Sequence, residues 1–254
     1  MLFVIQQTGD KSLTTVKHKD LVISPTLNER ENIDILVQMV LAHDGFSLLI
    51  VDDDSGDGTW QRVEELQKGY PDLFLLRRME NHGFRNSYID GFRWALQHSI
   101  ITHIFTMDAD LSHKPEYLPE LCSSLEGGID MIVGSRYTQG GGVKNWTLPR
   151  RFLSRNANRF ARFMTGLPVR DCTSGFNGIR TDALANLDLD SIKSNGYAFL
   201  IELKHLLWRN RAKLAEIPII FTDRINGITK FNSGMIKEAV KACRRLRKMN
   251  KQTL

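Results

Sequence analysis

Residues 47–59 read SLLIVDDDSGDGT, an apolar run that ends in three consecutive acids and a glycine-rich turn. Residues 103–113 repeat the pattern as HIFTMDADLSH. A continuous apolar run of this length is typical of a strand buried on both faces, as in a parallel sheet. Segments with helical periodicity separate the two runs. Alternating strands and helices predict an α/β fold, with a doubly wound, mostly parallel sheet and helices on both faces.

The same alternation extends outward from these runs along most of the chain. In the first half we predict strands at 20–24, 47–51, 73–76, 103–107 and 130–134, and helices at 31–42, 59–68, 86–98 and 115–125. The second half is more helical, with helices predicted at 151–164, 197–210 and 234–249 and a β-like run at 213–221. Such sheets bind ligands beyond the carboxyl ends of their strands. The residues that directly follow each strand are therefore the first candidates for a site.

Composition limits the class of protein. The chain has 254 residues, 42% hydrophobic and 25% charged, which is ordinary for a globular protein of one domain. Cys122, Cys172 and Cys243 form no CxxC pair, so neither a disulfide framework nor a zinc site is predicted. The start MLFVIQQ is too short for a signal peptide, and no apolar run approaches the roughly 18 residues that span a bilayer. We therefore expect a cytoplasmic protein.

Positive charge is concentrated at the C-terminus. From residue 235 onward there are seven Lys or Arg and one acid, a local charge of +6 against a net charge of +5 for the whole chain. The apolar residues of this segment recur at helical spacing: Ile236, Val240, Cys243 and Leu246. We predict one domain over residues 1–230 and a basic amphipathic helix over 231–254 that lies on the cytosolic face of a membrane. The alternative is a solvated helix packed by one face, and nucleic-acid binding is disfavoured because interleaved aromatics are missing.

The triplet Asp108-Ala109-Asp110 is the strongest candidate for a metal site. Two carboxylates two residues apart, just past a strand, can both reach one hard divalent cation. Mg²⁺ and Mn²⁺ prefer oxygen ligands and commonly keep substrate phosphates in their coordination shell. The alternative is that one Asp caps the next helix and the other is solvated.

Asp52, Asp53 and Asp54 follow the second predicted strand. A carboxylate at this position can accept hydrogen bonds from a base or a ribose hydroxyl, whereas Asp57 and Thr59 fit turn and helix-capping roles. His113 and Glu202 are candidate acid–base groups, each with a structural role as the alternative. Five cations in or beside predicted loops are candidate phosphate ligands: Arg136, Arg150, Arg151, Arg224 and Lys230.

The motifs, taken in order, resemble those of the polyprenol monophosphomannose synthases, which belong to the family-two glycosyltransferases of GT-A fold. The resemblance runs from about Leu21 to Lys230. Its motifs are SPTLNE (24–29), VDDDSGDGT (51–59), MDADLSH (107–113), GSRY (134–137), DCTSGF (171–176) and FTDRINGITK (221–230). The first three are shared by many family-two enzymes, and the last three, with the GGGV loop at 140–143, are more specific to the polyprenyl-phosphate branch.

The resemblance implies a role for each matching residue. The nucleotide-sugar would be bound by Pro25, Leu27, Glu29, Val51, Asp53, Asp108, Ala109 and Asp110. Mg²⁺ or Mn²⁺ would be bound by Asp108 and Asp110, with Ser112 where relatives can have a Gln ligand. The acceptor phosphate would be bound by Arg136, Arg150, Arg151, Arg224 and Lys230, and the catalytic set would be Asp110, Arg136 and Arg224. The chain departs from the family pattern at Asn177, where an Arg is usual, and at 81–85.

The implied reaction moves a hexose, with mannose from GDP-mannose leading, to a dolichyl or undecaprenyl phosphate with inversion. A small membrane-anchoring subunit is a further implied partner. Alternatives are another donor such as UDP-glucose or UDP-N-acetylglucosamine, or a sugar hydroxyl acceptor in surface polysaccharide synthesis. A hydroxyl acceptor needs a catalytic base, and the second half of the sequence offers no convincing one. A non-catalytic membrane-docking subunit is the alternative from another class, and the intact Asp108/Asp110 pair argues against it.

Overall fold

The structure, a computed structural model, is described for residues 16–223 and 233–251. Arg224 and Lys230, both predicted phosphate ligands, lie outside the described residues. The strands are β1 Asp20–Thr26, β2 Phe46–Asp52, β3 Leu73–Arg77, β4 His103–Thr106, β5 Met131–Ser135, β6 Gly142–Lys144, β7 Asn177–Arg180, β8 Leu214–Pro218 and β9 Ile220–Thr222. The α-helices are α1 Ile33–Leu41, α2 Thr59–Gln67, α3 Phe84–Leu96, α4 Leu118–Glu126, α5 Leu148–Thr165, α6 Thr181–Ala185, α7 Gly196–Arg209 and α8 Ser233–Lys251.

Seven strands form one sheet in the order β3-β2-β1-β4-β7-β5-β8, which confirms the predicted α/β fold with a mostly parallel sheet. β7 is the exception, because it runs antiparallel between β4 and β5. Its four residues, Asn177–Arg180, were not predicted as a strand, since NGIR is too short to carry an alternating pattern. The antiparallel direction brings the start of β7 to the edge where β4 and β5 end.

Side chains of the central strands alternate between two apolar layers. In β1, Leu21 and Ile23 pack with α3 and α7 on one face, and Val22 packs with α1 and α4 on the other. All three side chains are fully buried. The period-two alternation of a strand thus gives the sheet two buried faces, so the ends of the strands are the part of the sheet that a ligand can reach.

The C-terminal helix α8 packs on α5 and α7. Two residues of its predicted apolar stripe, Cys243 and Leu246, are buried against these helices. The helix is therefore packed by one face, as the alternative interpretation of the sequence has it, and the predicted contact of its basic residues with a membrane stays a prediction. Among the described residues, no helix is long and apolar enough to cross a bilayer.

Helix α5 has the opposite character, because much of its apolar surface is exposed. Leu148, Phe152 and Phe163 are 77%, 74% and 75% exposed, and Leu153 and Phe160 are also exposed. The helix contains five arginines and no acid. Several exposed apolar side chains on one helix are typical of an interaction surface.

Candidate active site

Asp108 and Asp110 follow β4 at the carboxyl edge of the sheet. Asp110 is almost fully buried, and its Oδ1 accepts hydrogen bonds from the backbone N–H of Ser112 at 3.1 Å and from the Ser112 hydroxyl at 2.5 Å. The Asp108 side chain is 33% exposed. Asp108 therefore faces the open edge, while Ser112, itself fully buried, orients Asp110 through its hydroxyl.

The loop that precedes β7 forms the wall beside Asp108. A Cβ atom at Gly175 would lie 3.3 Å from Asp108 Oδ1 and 3.5 Å from Oδ2, so this close approach favours glycine. The carbonyl of Gly175 accepts a hydrogen bond from Thr106 in β4 at 2.7 Å. Asp108 and Asp110 with the wall at Gly175 form a narrow acidic cradle. Its carboxylate oxygens are ligands of the kind that a hard cation such as Mg²⁺ or Mn²⁺ prefers.

His113 supports this cradle from below. Its ring stacks on Phe176 with centroids 5.2 Å apart, and Nδ1 accepts a hydrogen bond from the backbone N–H of Asp108 at 3.1 Å. Because Nδ1 is the acceptor, the neutral ring carries its proton on Nε2. His113 is buried, so its contacts support the structural interpretation over a direct acid–base role.

The β2 end supplies a second group of carboxylates. Asp52 is buried and bonds Thr26 and Ser55, so it ties the ends of β1 and β2 together. Asp53 pairs with Arg78 and accepts hydrogen bonds from Gly83 N at 2.6 Å and from the Ser87 hydroxyl at 2.9 Å. Sequence reasoning did not identify Arg78, which follows β3 and is also buried.

The other residues predicted to hold the nucleotide differ in exposure. Leu27 is 47% exposed, and Pro25 and Glu29 are partly exposed beside it. Val51 and Ala109 belong to the apolar core, so their side chains expose little surface to a bound nucleotide. A cavity of about 480 Å³ adjoins Asp53 through Gly83, between residues 82–86 and 190–195.

Arg136, directly after β5, is held by a buried carboxylate that sequence reasoning left unassigned. Its Nε and Nη2 each donate to Asp171 at 2.7 Å, and its backbone N–H donates to the same carboxylate at 3.0 Å. Burial opposes ionisation of both groups, but their mutual attraction outweighs it. The pKa of Asp171 is therefore lowered and that of Arg136 raised. Asp171 is the first residue of the DCTSGF motif.

Trp146 joins Arg136 to a second arginine. Its ring centroid lies 5.6 Å from the Arg136 guanidinium carbon and 4.2 Å from that of Arg150, which lies in the first turn of α5. Arg150 also donates to Asp223 at 2.6 Å. Arg151, predicted as an equivalent ligand, is exposed on the outside of the helix. The structure thus brings Arg136 and Arg150 together around one aromatic ring and leaves Arg151 apart.

β6 and β9 form a two-stranded sheet, and β9 connects it to the segment that carries the acidic pair. The N–H of Thr222 donates to the Ser112 carbonyl at 3.3 Å. A Cβ atom at Gly141 would lie 2.4 Å from the Ser135 carbonyl oxygen, so the glycine loop can reach β5 only without a side chain. The arginines and the acidic pair are therefore held on the same edge of the molecule.

Two further groups of polar residues are structural or lie elsewhere. Glu202 is buried, pairs with Arg245 at 2.7 Å and accepts the N–H of Ser194 at 2.8 Å, so it fastens α7 to α8. Asp20, His103 and Cys122 bring their potential ligand atoms within 4.8 Å of one another. That group lies at the amino ends of β1 and β4, opposite the acidic cradle. Burial raises the pKa of the Cys122 thiol to about 12, which keeps it protonated as a donor to Asp20.

Comparison with known proteins identifies the family of this chain. Residues 21–188 match the family model described as glycosyl transferase family 2. The polyprenol monophosphomannose synthase of Mycolicibacterium smegmatis is 37% identical over 92% of this chain and 90% of its own length. The undecaprenyl-phosphate mannosyltransferase of Micrococcus luteus is 36% identical over 87% and 90%. The dolichol-phosphate mannosyltransferase of Pyrococcus furiosus is 34% identical over 89% of this chain and 63% of its own length.

Solved structures with the same fold are more distant in sequence. Glucosyl-3-phosphoglycerate synthase from Mycobacterium tuberculosis, in complex with Mn²⁺, UDP-glucose and phosphoglyceric acid, superposes with a TM-score of 0.66 at 15% identity. The match covers 92% of this chain and 81% of that one. At this identity the similarity establishes the fold, a GT-A glycosyltransferase fold, and no more.

Proposed function

Because this chain belongs to glycosyl transferase family 2, we propose that it transfers mannose from GDP-mannose to a polyprenyl phosphate, with inversion at the transferred carbon. The names of the relatives at 34% to 37% identity support both the sugar and the lipid phosphate. GDP as the nucleotide is our proposal, as are the individual site residues. Dolichyl and undecaprenyl phosphates present the same chemistry to the site.

The observation that carries the proposal is the position of Arg150. It stacks on Trp146 beside Arg136, in the first turn of a helix whose outer face is apolar. Two guanidinium groups suit a phosphate because their positive charges attract its oxygens. Nε and Nη2 of Arg136 already donate to Asp171, so Arg136 contributes its charge and its remaining donor. When a lipid phosphate is bound here, its hydrocarbon chain can lie along the exposed apolar residues of α5.

The chemistry required of the protein is positioning and charge stabilisation. A phosphate monoester is mostly ionised at neutral pH, so it attacks without a general base. His113 and Glu202, the acid–base candidates from the sequence, are both held in structural hydrogen bonds. Asp108 and Asp110 would hold Mg²⁺ or Mn²⁺, which neutralises the charge that develops on a diphosphate leaving group. Arg136 and Arg150 would offset the repulsion between the donor and acceptor phosphates.

The reaction is tested by incubating the purified chain with Mn²⁺, a short polyprenyl phosphate and one donor at a time: GDP-mannose, UDP-glucose or UDP-N-acetylglucosamine. We expect a polyprenyl phosphate that carries one mannose, identified by mass spectrometry of the organic phase, from GDP-mannose alone. A product from a UDP-sugar only would overturn the donor. Transfer to a sugar hydroxyl with no lipid product would overturn the acceptor.

We further propose that the protein attaches peripherally to a membrane through α5, with the exposed basic residues of α8 beside it. Phe152 and Phe163 are eleven residues apart, close to three full turns, so they share one face of the helix. Arg247 of α8 lies over Phe163, with its guanidinium carbon 5.6 Å from the ring centroid, so the two helices form a continuous surface. Each basic residue near an anionic surface contributes about 1 kcal/mol of attraction.

Replacing both Phe152 and Phe163 by serine is expected to weaken binding to vesicles of phosphatidylglycerol and phosphatidylcholine by at least roughly tenfold. Burying one Phe side chain contributes about 1.5 to 3 kcal/mol, and 1.4 kcal/mol corresponds to a factor of ten. The measurement is vesicle co-sedimentation, with Ile35→Ser, an exposed apolar residue on α1, as the matched control. If the wild-type chain does not bind vesicles at all, a membrane-anchoring subunit becomes the better account of attachment.

A further inference from the structure

Helix α7 contains a lysine that the proposed reaction does not use. Lys204 is completely buried in a helix that also presents Phe199, Leu200 and Leu203 to the core. Its Nζ donates to the Ser174 carbonyl at 2.8 Å. A buried lysine is rare unless it is paired, because desolvation of an ammonium group is unfavourable.

The surroundings of Lys204 explain how its charge is tolerated. Asp171 and Glu216 attract the ammonium group, and Arg136 repels it. Glu216 also accepts the backbone N–H of Asp171 at 2.9 Å. Two cations and two carboxylates therefore share this region, so its formal charge is balanced only when Lys204 is protonated.

The bond to Ser174 connects this charge cluster to the metal cradle. The next residue, Gly175, is the wall whose Cβ position lies 3.3 Å from Asp108 Oδ1. Asn177 donates to the same Ser174 carbonyl at 3.1 Å, but it is neutral. Asp171, three residues before Ser174, binds Arg136. The segment 171–175 thus connects Arg136, a predicted phosphate ligand, with Asp108, a predicted metal ligand. Lys204 holds this segment through the Ser174 carbonyl.

We propose that Lys204 is a positioning residue, whose ammonium group fixes the 171–175 segment and thereby sets the placement of Arg136 relative to Asp108. The inference rests on the proposed function only in that both concern the same site. It does not depend on which sugar or lipid is used.

A purely structural role for Lys204 is the alternative that the test must separate. Removing one member of a buried charge cluster leaves the others uncompensated, so Lys204→Met, which keeps the length of the side chain, is expected to fold with a lower Tm. Activity and nucleotide affinity are therefore compared at a temperature well below that Tm, where every variant is folded. Lys204→Gln keeps a donor for Ser174 but removes the charge, so it separates the hydrogen bond from the electrostatic effect.

The test compares wild type, Lys204→Met, Lys204→Gln and the exposed control Lys68→Met. We expect kcat of Lys204→Met to fall roughly tenfold to hundredfold, the range that a misplacement of about 1 Å can produce. Affinity for GDP or UDP in the presence of Mn²⁺, measured by calorimetry, should fall in parallel. In both measurements Lys204→Gln should lie between Lys204→Met and wild type, and Lys68→Met should match wild type. Because nucleotide binding needs no acceptor, this measurement remains valid even if the mannosyl-lipid proposal fails.

A pH profile provides a second readout that a purely structural role would not change. Burial lowers the pKa of Lys204 to about 8, although Asp171, Cys172 and Glu216 oppose the shift. The protonated, working form is present below that pKa, so wild-type activity should decline as pH rises through about 8. Lys204→Gln should lack this decline. The proposal is overturned if folded Lys204→Met keeps kcat and nucleotide affinity within twofold of wild type, or if both profiles coincide.

Discussion

Asp110→Ala is expected to lower kcat by at least about 10² to 10³, the range seen when one preorganised electrostatic contact to a transition state is removed. Asp110 is almost fully buried and is oriented by two hydrogen bonds from Ser112. A carboxylate held in this way can hold a cation without reorganisation. Turnover is measured with GDP-mannose and a polyprenyl phosphate over a Mn²⁺ titration.

Two controls make this result specific. Asp44→Ala removes an exposed acid after α1 and should leave kcat unchanged. Ser112→Ala removes the hydroxyl donor to Asp110 but leaves its carboxylate, so a smaller loss, about tenfold, is expected. Near-full activity of Asp110→Ala in metal-free buffer would rule out the acidic pair as the metal site.

Asp171→Asn is expected to lower the free energy of unfolding by about 3 to 5 kcal/mol, the usual effect of leaving a buried charge unpaired. The substitution keeps the size of the side chain, but it leaves the buried Arg136 and Lys204 without their shared carboxylate. Urea denaturation is the measurement. The exposed pair Arg180–Asp182 supplies the control, since Asp182→Asn should cost less than about 1 kcal/mol.

The same substitution should make stability less sensitive to acid. Arg136 holds the pKa of Asp171 below its unfolded value of about 3.9. The stabilisation from Asp171 is therefore complete above that value and is lost as pH falls through the lower, folded pKa. The difference between wild type and Asp171→Asn should shrink in strong acid. A constant difference from pH 7 to pH 2 would contradict the assignment.

The sequence alone determined the fold class and placed the candidate site residues at the carboxyl edge of the sheet. The runs at 47–51 and 103–107 are buried strands, and the acids that follow them, Asp53 and Asp108 among them, lie at strand ends. These features are local, because strand periodicity and the residue after a strand depend only on neighbours along the chain. The motifs also identified the family that the comparisons establish.

Residues far apart in sequence were decided only by tertiary structure. Arg136 was predicted as a phosphate ligand, but its partner Asp171 lies 35 positions away and could not be inferred from spacing. Helix α8 was predicted from its apolar stripe and basic residues, but the sequence left open whether the stripe is packed. Cys243 and Leu246 are buried, while α5 exposes Phe152 and Phe163. An amphipathic pattern shows that a helix has an apolar face, but only the packed neighbours determine what covers it.

The short strand β7 shows the physical reason most clearly. Its four residues carry too little periodicity to be recognised, and hydrogen bonds from β4 and β5 on either side make it a strand. Its antiparallel direction places Gly175 against Asp108 and lets Lys204 reach Ser174 from α7. Local sequence specifies which face of an element is apolar, whereas the pairing of distant elements specifies which polar groups meet, because those contacts exist only after the chain has folded.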